Sequence, residues 1–394
     1  MILKFSSKIY DKKYDKKLFF IIYLILKVIN SVFRYKFLVP HCHSKSRIYS
    51  NTCNALKINK SKKIFLIYSP LANLYFYEIL RRKYFGINNS LIFNIIYPTY
   101  IKYHKDEKLW CNTYDHGMFN KHKSLNQLKI CNKKNQEEQI FIKKYFKIRN
   151  FNKLIIIADR GKNYSDYNLS RKKNYFDLND FRPSKIETRV KMIKYLIKNN
   201  YQIILVNEGG KINDNFIINV NNENIINFFS ETKKFNKYII DKLFISLIKN
   251  SRLVISDISS AYACCAAFGK KYFLTNTFPY VEKNRTDNDY IMFKFTKNKF
   301  NKFNKFSDLK KYNFDKNVGF INESDLKKFL FDKNKFIENN EDDFLNSIKD
   351  ILTNKVVHAS KFHSLFLKKY FTNGYLYNGK IPKSHYLKLI KILK

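Results

Sequence analysis

Between Lys153 and Pro279 the chain alternates short apolar runs with abrupt polar breaks. Leu154-Ile155-Ile156-Ile157 stops at Ala158-Asp159-Arg160-Gly161. Leu253-Val254-Ile255 stops at Ser256-Asp257-Ile258-Ser259-Ser260. Runs this short, with no polar alternation, predict strands buried on both faces. Gln202 to Val206, closed by Asn207-Glu208-Gly209-Gly210, and Tyr272 to Leu274 repeat the pattern. Helical spacing fills the intervals. Ile186, Val190, Ile193 and Ile197 share one face, ended by Asn199-Asn200; Ile240, Leu243, Phe244 and Leu247 share another; Ser260 to Phe268 is a run of mostly small residues. Strand and helix in alternation predict a doubly wound α/β sheet with a ligand at its carboxyl edge, where the polar breaks fall.

The flanks extend this picture. Lys62 to Tyr68 predicts a strand, Leu71 to Tyr84 a helix stopped by Gly86, and Leu91 to Tyr97 another strand, the start of a second α/β unit. Pro183 suits the first turn of a helix. The biased segment Phe293 to Phe306 predicts an elaborated loop. Asn340 and Asp343 have the spacing of a capping box ahead of a helix at Phe344 to Leu352, and a last helix runs from Pro382 to Leu393. The expected division is a basic start with an apolar helix at 1–36, one α/β domain at 60–150, a second at 151–350, and C-terminal helices at 351–394 returning to the first.

Leu18 to Phe33 is apolar but short for a membrane span and interrupted by Lys27. No small-residue cleavage site follows it, only Phe33-Arg34-Tyr35-Lys36. Its basic flanks predict a helix lying on the inner face of a membrane, with a helix packed on the core as the other reading and a span or signal as the third.

Charge changes the picture less than its size suggests. Lys and Arg outnumber Asp and Glu by 75 to 32, a formal charge of +43. The lysines are spread along the whole chain, and Asn, Ile, Phe and Tyr are inflated with them while Gly falls to 9. That is the signature of an A/T-rich coding sequence, not of a nucleic-acid domain, which concentrates its basic residues on one element. Attraction to an anionic membrane survives either origin. Cys42, Cys53, Cys111, Cys131, Cys264 and Cys265 follow no paired spacing, which predicts reduced, mostly buried thiols and a cytoplasmic protein. His41-Cys42-His43 lacks a second ligand cluster, and Asp287-Asn288-Asp289 reads as a solvated loop, so no metal site is expected. Phosphate loops, dinucleotide glycine fingerprints and hydrolase elbows are absent from the sequence.

Candidate chemistry gathers where the apolar runs end. A guanidinium at Arg160, on a rigid strand end, can grip a phosphate with two parallel bonds. Arg182 stands near a helix start, where free N–H groups already favour anions. Ser259 and Ser260 offer hydroxyls and amides suited to a phosphate or sugar hydroxyl, and a plain N-cap is their alternative role. Tyr114-Asp115-His116-Gly117 reads as a turn or as part of an acceptor pocket.

These segments, in this order, resemble a bacterial family of glycosyltransferases related to fucosyltransferase-like enzymes of GT-B fold. The likeness runs through Lys63 to Gly86, Leu154 to Tyr167, Phe181 to Val206, Leu253 to Asn276, Asn340 to Leu352 and Gly379 to Lys388. It implies two Rossmann-like domains facing a cleft and a GDP- or UDP-linked sugar donor in the second. It also implies a surface glycan or lipid-linked acceptor, and no metal or other cofactor. By position, Arg160 and Arg182 match the family's two arginines and Ser259 its serine. The family histidine falls on Ala158, its aspartate on Gly161, an asparagine on Pro183 and a glycine on Ser260. The catalytic base is therefore sought among Asp159, Glu208, Asp115 and His116. The rival reading is a non-catalytic binder of polyanions or membrane on a decayed version of the same fold, with nucleic acid the less expected partner.

Overall fold

The computed structural model describes residues 16–39, 63–68, 74–81, 84–103, 106, 108–110, 136–160, 186–208, 223–257, 260–278, 289–312, 323–362, 364 and 379–393. Two compact units divide the chain, Met1–His116 and Gly117–Lys394.

In the first unit, helix α1 (Lys16–Phe33) leads into strand β1 (Tyr35–Leu38), followed by β2 (Lys63–Tyr68), α2 (Leu74–Arg81), β3 (Phe85–Asn88) and α3 (Ser90–Tyr103). The three strands form a parallel sheet in the order β1-β2-β3. Gly86 belongs to β3 and does not end a helix. It pairs with Leu66 at a separation that leaves no room for a side chain: a Cβ there would sit 2.6 Å from the Leu66 Cβ and 2.7 Å from its carbonyl oxygen. The segment expected as a strand at Leu91 to Tyr97 is the middle of α3. Asn89 caps it, its Oδ1 accepting from the N–H groups of Leu91 (2.8 Å) and Ile92 (3.1 Å). An apolar run carries no period that separates a buried helix from a buried strand, so the cap decides. Leu26 of α1, Phe37, Ile67, Phe93, Tyr97, Tyr100 and Trp110 make this unit's core.

The second unit holds, in chain order, α4 (Gln136–Tyr145), β4 (Leu154–Arg160), α5 (Val190–Lys198), β5 (Gln202–Glu208), β6 (Ile225–Asn227), α6 (Phe228–Thr232) and α7 (Lys237–Asn250). Then come β7 (Leu253–Ser256), α8 (Ser260–Phe268), β8 (Tyr272–Thr277), β9 (Asp289–Phe293), β10 (Phe295–Lys297) and α9 (Phe306–Leu309). The rest is α10 (Glu323–Phe331), β11 (Lys335–Ile337), α11 (Glu341–Leu352), β12 (Val356–His358), α12 (Ala359–Phe362), β13 (Lys380–Pro382) and α13 (Lys383–Leu393). Its main sheet has eight strands in the order β12-β13-β9-β8-β7-β4-β5-β6. Every pairing is parallel except that of β12 with β13.

From β4 the chain winds outward through β5 and β6, returns to the other side of β4 as β7, and winds outward again through β8 and β9. This is the doubly wound Rossmann order, with its switch point between β4 and β7. The apolar runs read as buried strands are buried on both faces. Ile155, Ile157, Ile203, Leu205 and Ile255 pack with Met192, Ile193 and Leu196 of α5 and with Phe344, Ile348 and Ile351 of α11. Strand alternation leaves Leu154, Ile156 and Val254, all at 0% exposure, for the other face, where α7 and α8 contact β4 and β7. The small residues of α8 end at Gly269, whose φ of 63° is the left-handed turn that closes the helix.

Several boundaries differ from those expected. Helix α4 lies in the second unit, not the first: Glu138 pairs with Lys249 of α7 at 2.7 Å, and Gln139 donates to Asn250 at 2.6 Å. The described residues of the C-terminal segment pack within the second unit. Its β13 pairs with β9, and its Tyr386, Leu389 and Leu393 pack in the cluster of Phe293, Phe306 and Phe362. The segment 293–306 holds β10, paired antiparallel with β11, and its bridge from Lys297 to Phe303. Asp289 is not a solvated loop residue. It opens β9, buried at 1% exposure, at the amino edge of the sheet, while Asp287 lies outside the described residues. The capping box at Asn340 is present, with Asn340 Oδ1 accepting from Asp343 N–H at 2.9 Å and Asp343 Oδ2 from Asn340 N–H at 3.0 Å. No helix among the described residues is long and apolar enough to cross a membrane.

Candidate functional site at the carboxyl edge

Parallel pairing brings the polar breaks of the sequence to one edge. Ala158 of β4 is in register with Ser256 of β7, Asp159 with Asn207, and Arg160 with Glu208, the last residue of β5. Ser260 begins α8, the helix that follows β7. The backbones of Asp159, Arg160, Glu208 and Ser260 therefore lie at the carboxyl edge, around the switch point. Arg182, Ser259, Asp115, His116 and Pro183 lie outside the described residues, as do His41, Cys42 and His43.

Behind this edge sits a buried ionic cluster whose members the motif reading passes over. Arg189 ends a short 3₁₀ turn, Ile186–Arg189, that feeds α5; Asp257 follows β7 directly. Both are essentially shut off from water, at 0% and 1% exposure. Arg189 Nη2 donates to Asp257 Oδ1 at 3.2 Å and to Thr275 Oγ1 at 3.0 Å, and Thr275 passes its own hydrogen to Asp257 Oδ1 at 2.6 Å. The guanidinium lies 5.3 Å from the ring centre of Phe344, a cation–π contact. Hydroxyls of Ser256 (2.8 Å) and Tyr272 (2.7 Å) both donate to the Asp257 carbonyl. The first residue after β7 is thus held through its side chain and its backbone. That fixes where the turn into α8 begins.

Lys294, just past the carboxyl end of β9, is buried at 2% exposure, and its N–H donates to the Thr277 carbonyl at 2.9 Å. Burial pushes its ammonium pKa down, with the carboxylates of Asp257 and Glu338 acting in the opposite direction. Next to it, β8 is irregular between Leu274 and Thr277, where Asn276 adopts a φ of 52°. Asn276 Oδ1 accepts from Asn339 Nδ2 at 2.7 Å, and Asn339 Nδ2 also reaches the Phe293 carbonyl at 3.0 Å. Asn339 immediately precedes the capping residue of α11, so the bulge ties β8 and β9 to that helix. The Phe293 N–H finds its acceptor in His385 Nε2 at 2.9 Å. Burial, and after it the charge of Lys388, depress the His385 pKa to about 3, so the ring is neutral at physiological pH.

The thiols of Cys264 and Cys265 are free and fully buried in α8, and burial raises both pKa values, which makes them packing groups and not nucleophiles. Among the described residues, no three His, Cys, Asp or Glu side chains converge in a way that could hold a metal ion.

The carboxyl edge at β4 and β7 is therefore backed by a buried, hydrogen-bonded ionic cluster. Sequence signals for the cluster existed. Arg189 is a lone cation entering an otherwise apolar helical face, and Asp257 is the first polar side chain after a buried strand.

No protein-family model matches this chain, and no curated protein does. Among solved structures it is similar to the E. coli ADP-heptose LPS heptosyltransferase II, with 9% identity and a TM-score of 0.33 over 66% of this chain and 89% of that one. It is also similar to the wall teichoic acid polymerase TagF, with 13% identity and a TM-score of 0.27 over 66% of this chain and 80% of that one. At these TM-scores the likeness decides neither fold nor chemistry; the second unit is Rossmann-like by its own strand order.

Proposed function

We propose that the chain is a glycosyltransferase of GT-B architecture that moves a sugar from a GDP- or UDP-linked donor to a glycan or lipid-linked acceptor. The observation that carries this reading is the strand order of the second unit. Its switch point falls between β4 and β7, with the backbones of Arg160, at the end of β4, and Ser260, at the start of α8, at the carboxyl edge. Open parallel sheets bind nucleotides at that place. In this reading Arg160, with Arg182, neutralises the diphosphate as negative charge grows on the leaving group. Ser259 and Ser260 supply hydroxyl and amide donors to the phosphates or the sugar. Asp159 and Glu208, at the ends of adjacent strands, are the carboxylates from which the base for the acceptor hydroxyl is drawn. No metal is assigned to the reaction.

The test is thermal unfolding of the full chain with GDP and with UDP, followed by mass-spectrometric screening of sugar nucleotides for turnover. A ligand at a hundred times its Kd stabilises by about 2.7 kcal/mol, enough for a shift of several degrees. Arg160→Ala is expected to abolish the shift. No shift with either nucleotide, together with salt-sensitive RNA binding, overturns the enzyme reading in favour of a polyanion binder.

A further inference from the structure

Helix α1 is fastened to its unit by one face only. Leu26 is buried in the core among Phe93 and Tyr97. The Tyr23 hydroxyl donates to Asp106 at 2.7 Å, the Tyr23 ring stacks on Tyr103 at 4.4 Å, and Asn30 Nδ2 donates to the Tyr35 carbonyl at 2.5 Å. The opposite face carries Leu18, Ile21, Leu24, Ile25, Val28 and Val32, each between 44% and 65% exposed. On a helix of 3.6 residues per turn these six form one continuous stripe with no polar side chain inside it. A soluble surface rarely leaves such a stripe uncovered.

Charge selects the occupant. Helix α1 contains no acidic residue: Lys16 and Lys17 open it, Lys27 is half exposed with its ammonium 3.6 Å from Asp106 Oδ2, and exposed Arg34 follows it. Leu18, Ile21, Ile25, Val28 and Val32 recur in alternating steps of three and four, a spacing that also suits a helical partner. Pairing two copies, however, would bring together two helices that carry lysines and no acidic residue of their own, on a chain whose formal charge is +43. An anionic bilayer meets both demands, apolar depth for the stripe and negative headgroups for its basic border.

We propose that the outer face of α1 is an in-plane docking surface for anionic lipid, held by its inner face at a fixed orientation to the β1-β2-β3 sheet. This inference is independent of the donor site. The experiment is co-sedimentation of the full chain with phosphatidylcholine vesicles, with and without phosphatidylglycerol. Binding is expected to the anionic vesicles and to weaken with salt. Ile21→Glu/Ile25→Glu is expected to reduce it about tenfold or more, since both side chains leave the lipid. Both positions are exposed, so the fold is retained, which circular dichroism checks. Lys16→Glu/Lys17→Glu is expected to weaken binding to the anionic vesicles only. Absence of vesicle binding by the unaltered chain overturns the proposal. So does a concentration-dependent dimer, seen by light scattering, that the double substitution dissolves while vesicle binding persists.

Discussion

Arg189 and Asp257 meet at 3.2 Å, 68 residues apart in sequence and both closed off from solvent. One enters α5 and the other leaves β7, so a single ion pair joins the segment after β4 to the segment after β7, on either side of the switch point. Removing one partner deprives the other buried charge of this bond. Asp257→Ala is expected to destabilise the second unit by about 3–5 kcal/mol. Replacing both, as Arg189→Met/Asp257→Leu, is expected to recover most of that loss. Urea unfolding of the two single variants and the double variant measures the coupling. Strictly additive losses would show that the pair does not act as a unit.

His385 makes the fold acid-sensitive by a mechanism with a definite sign. Its folded pKa is about 3, below the unfolded value of about 6.5. Between these values the unfolded chain takes up a proton that the folded chain refuses. Stability from this group is therefore undiminished above about pH 6.5 and falls by up to about 1.4 kcal/mol per pH unit as pH drops toward 3. In His385→Gln the side-chain oxygen can accept from the Phe293 N–H but does not titrate. Its urea midpoint is expected to decline less steeply between pH 6 and pH 4 (both bounds roughly within the titration window) than that of the unaltered chain. Parallel declines would remove His385 from the account.

Asn276 combines a left-handed backbone with a side-chain acceptor for Asn339. Asn276→Gly keeps the backbone unstrained and loses the acceptor. Asn276→Ala loses the acceptor and adds the left-handed penalty of about 1–2 kcal/mol. Melting temperatures should thus rank the unaltered chain first, Gly second and Ala last. Ala equal to Gly would mean that the backbone conformation carries no strain.

How far the sequence displayed this molecule depended on which physical signal each element left. Strands β4, β5, β7 and β8 are buried on both faces and so appear as unbroken apolar runs. The capping box at Asn340 and Asp343 is spelled out by two residues three positions apart. Helix α3 was hidden because Leu91 to Tyr97 is apolar on nearly every side, and its cap, Asn89, lies just outside the run. Strands β1, β3, β6 and β9, each three to five residues long, are not predicted from the pattern. At the site, Asp159, Arg160, Glu208 and Ser260 could be placed at one edge because they end or follow recognisable elements. Arg189 and Asp257 could not be paired, because their partnership exists only after β7 has crossed back beside β4. Their connection is set by topology and has no local spacing to read.

The pairing of β13 with β9 has a consequence for how the molecule is made. During synthesis β4 to β9 leave the ribosome first and can assemble into their parallel sheet, yet the outer edge of β9 has no neighbour until residues 380–382 follow. For that interval a nascent chain presents open amide and carbonyl groups beside Phe293 and Phe295, a surface that invites pairing with other chains. The same delay affects His385, which reaches the Phe293 N–H only from α13. Closing that edge of the sheet therefore waits on β13 and α13.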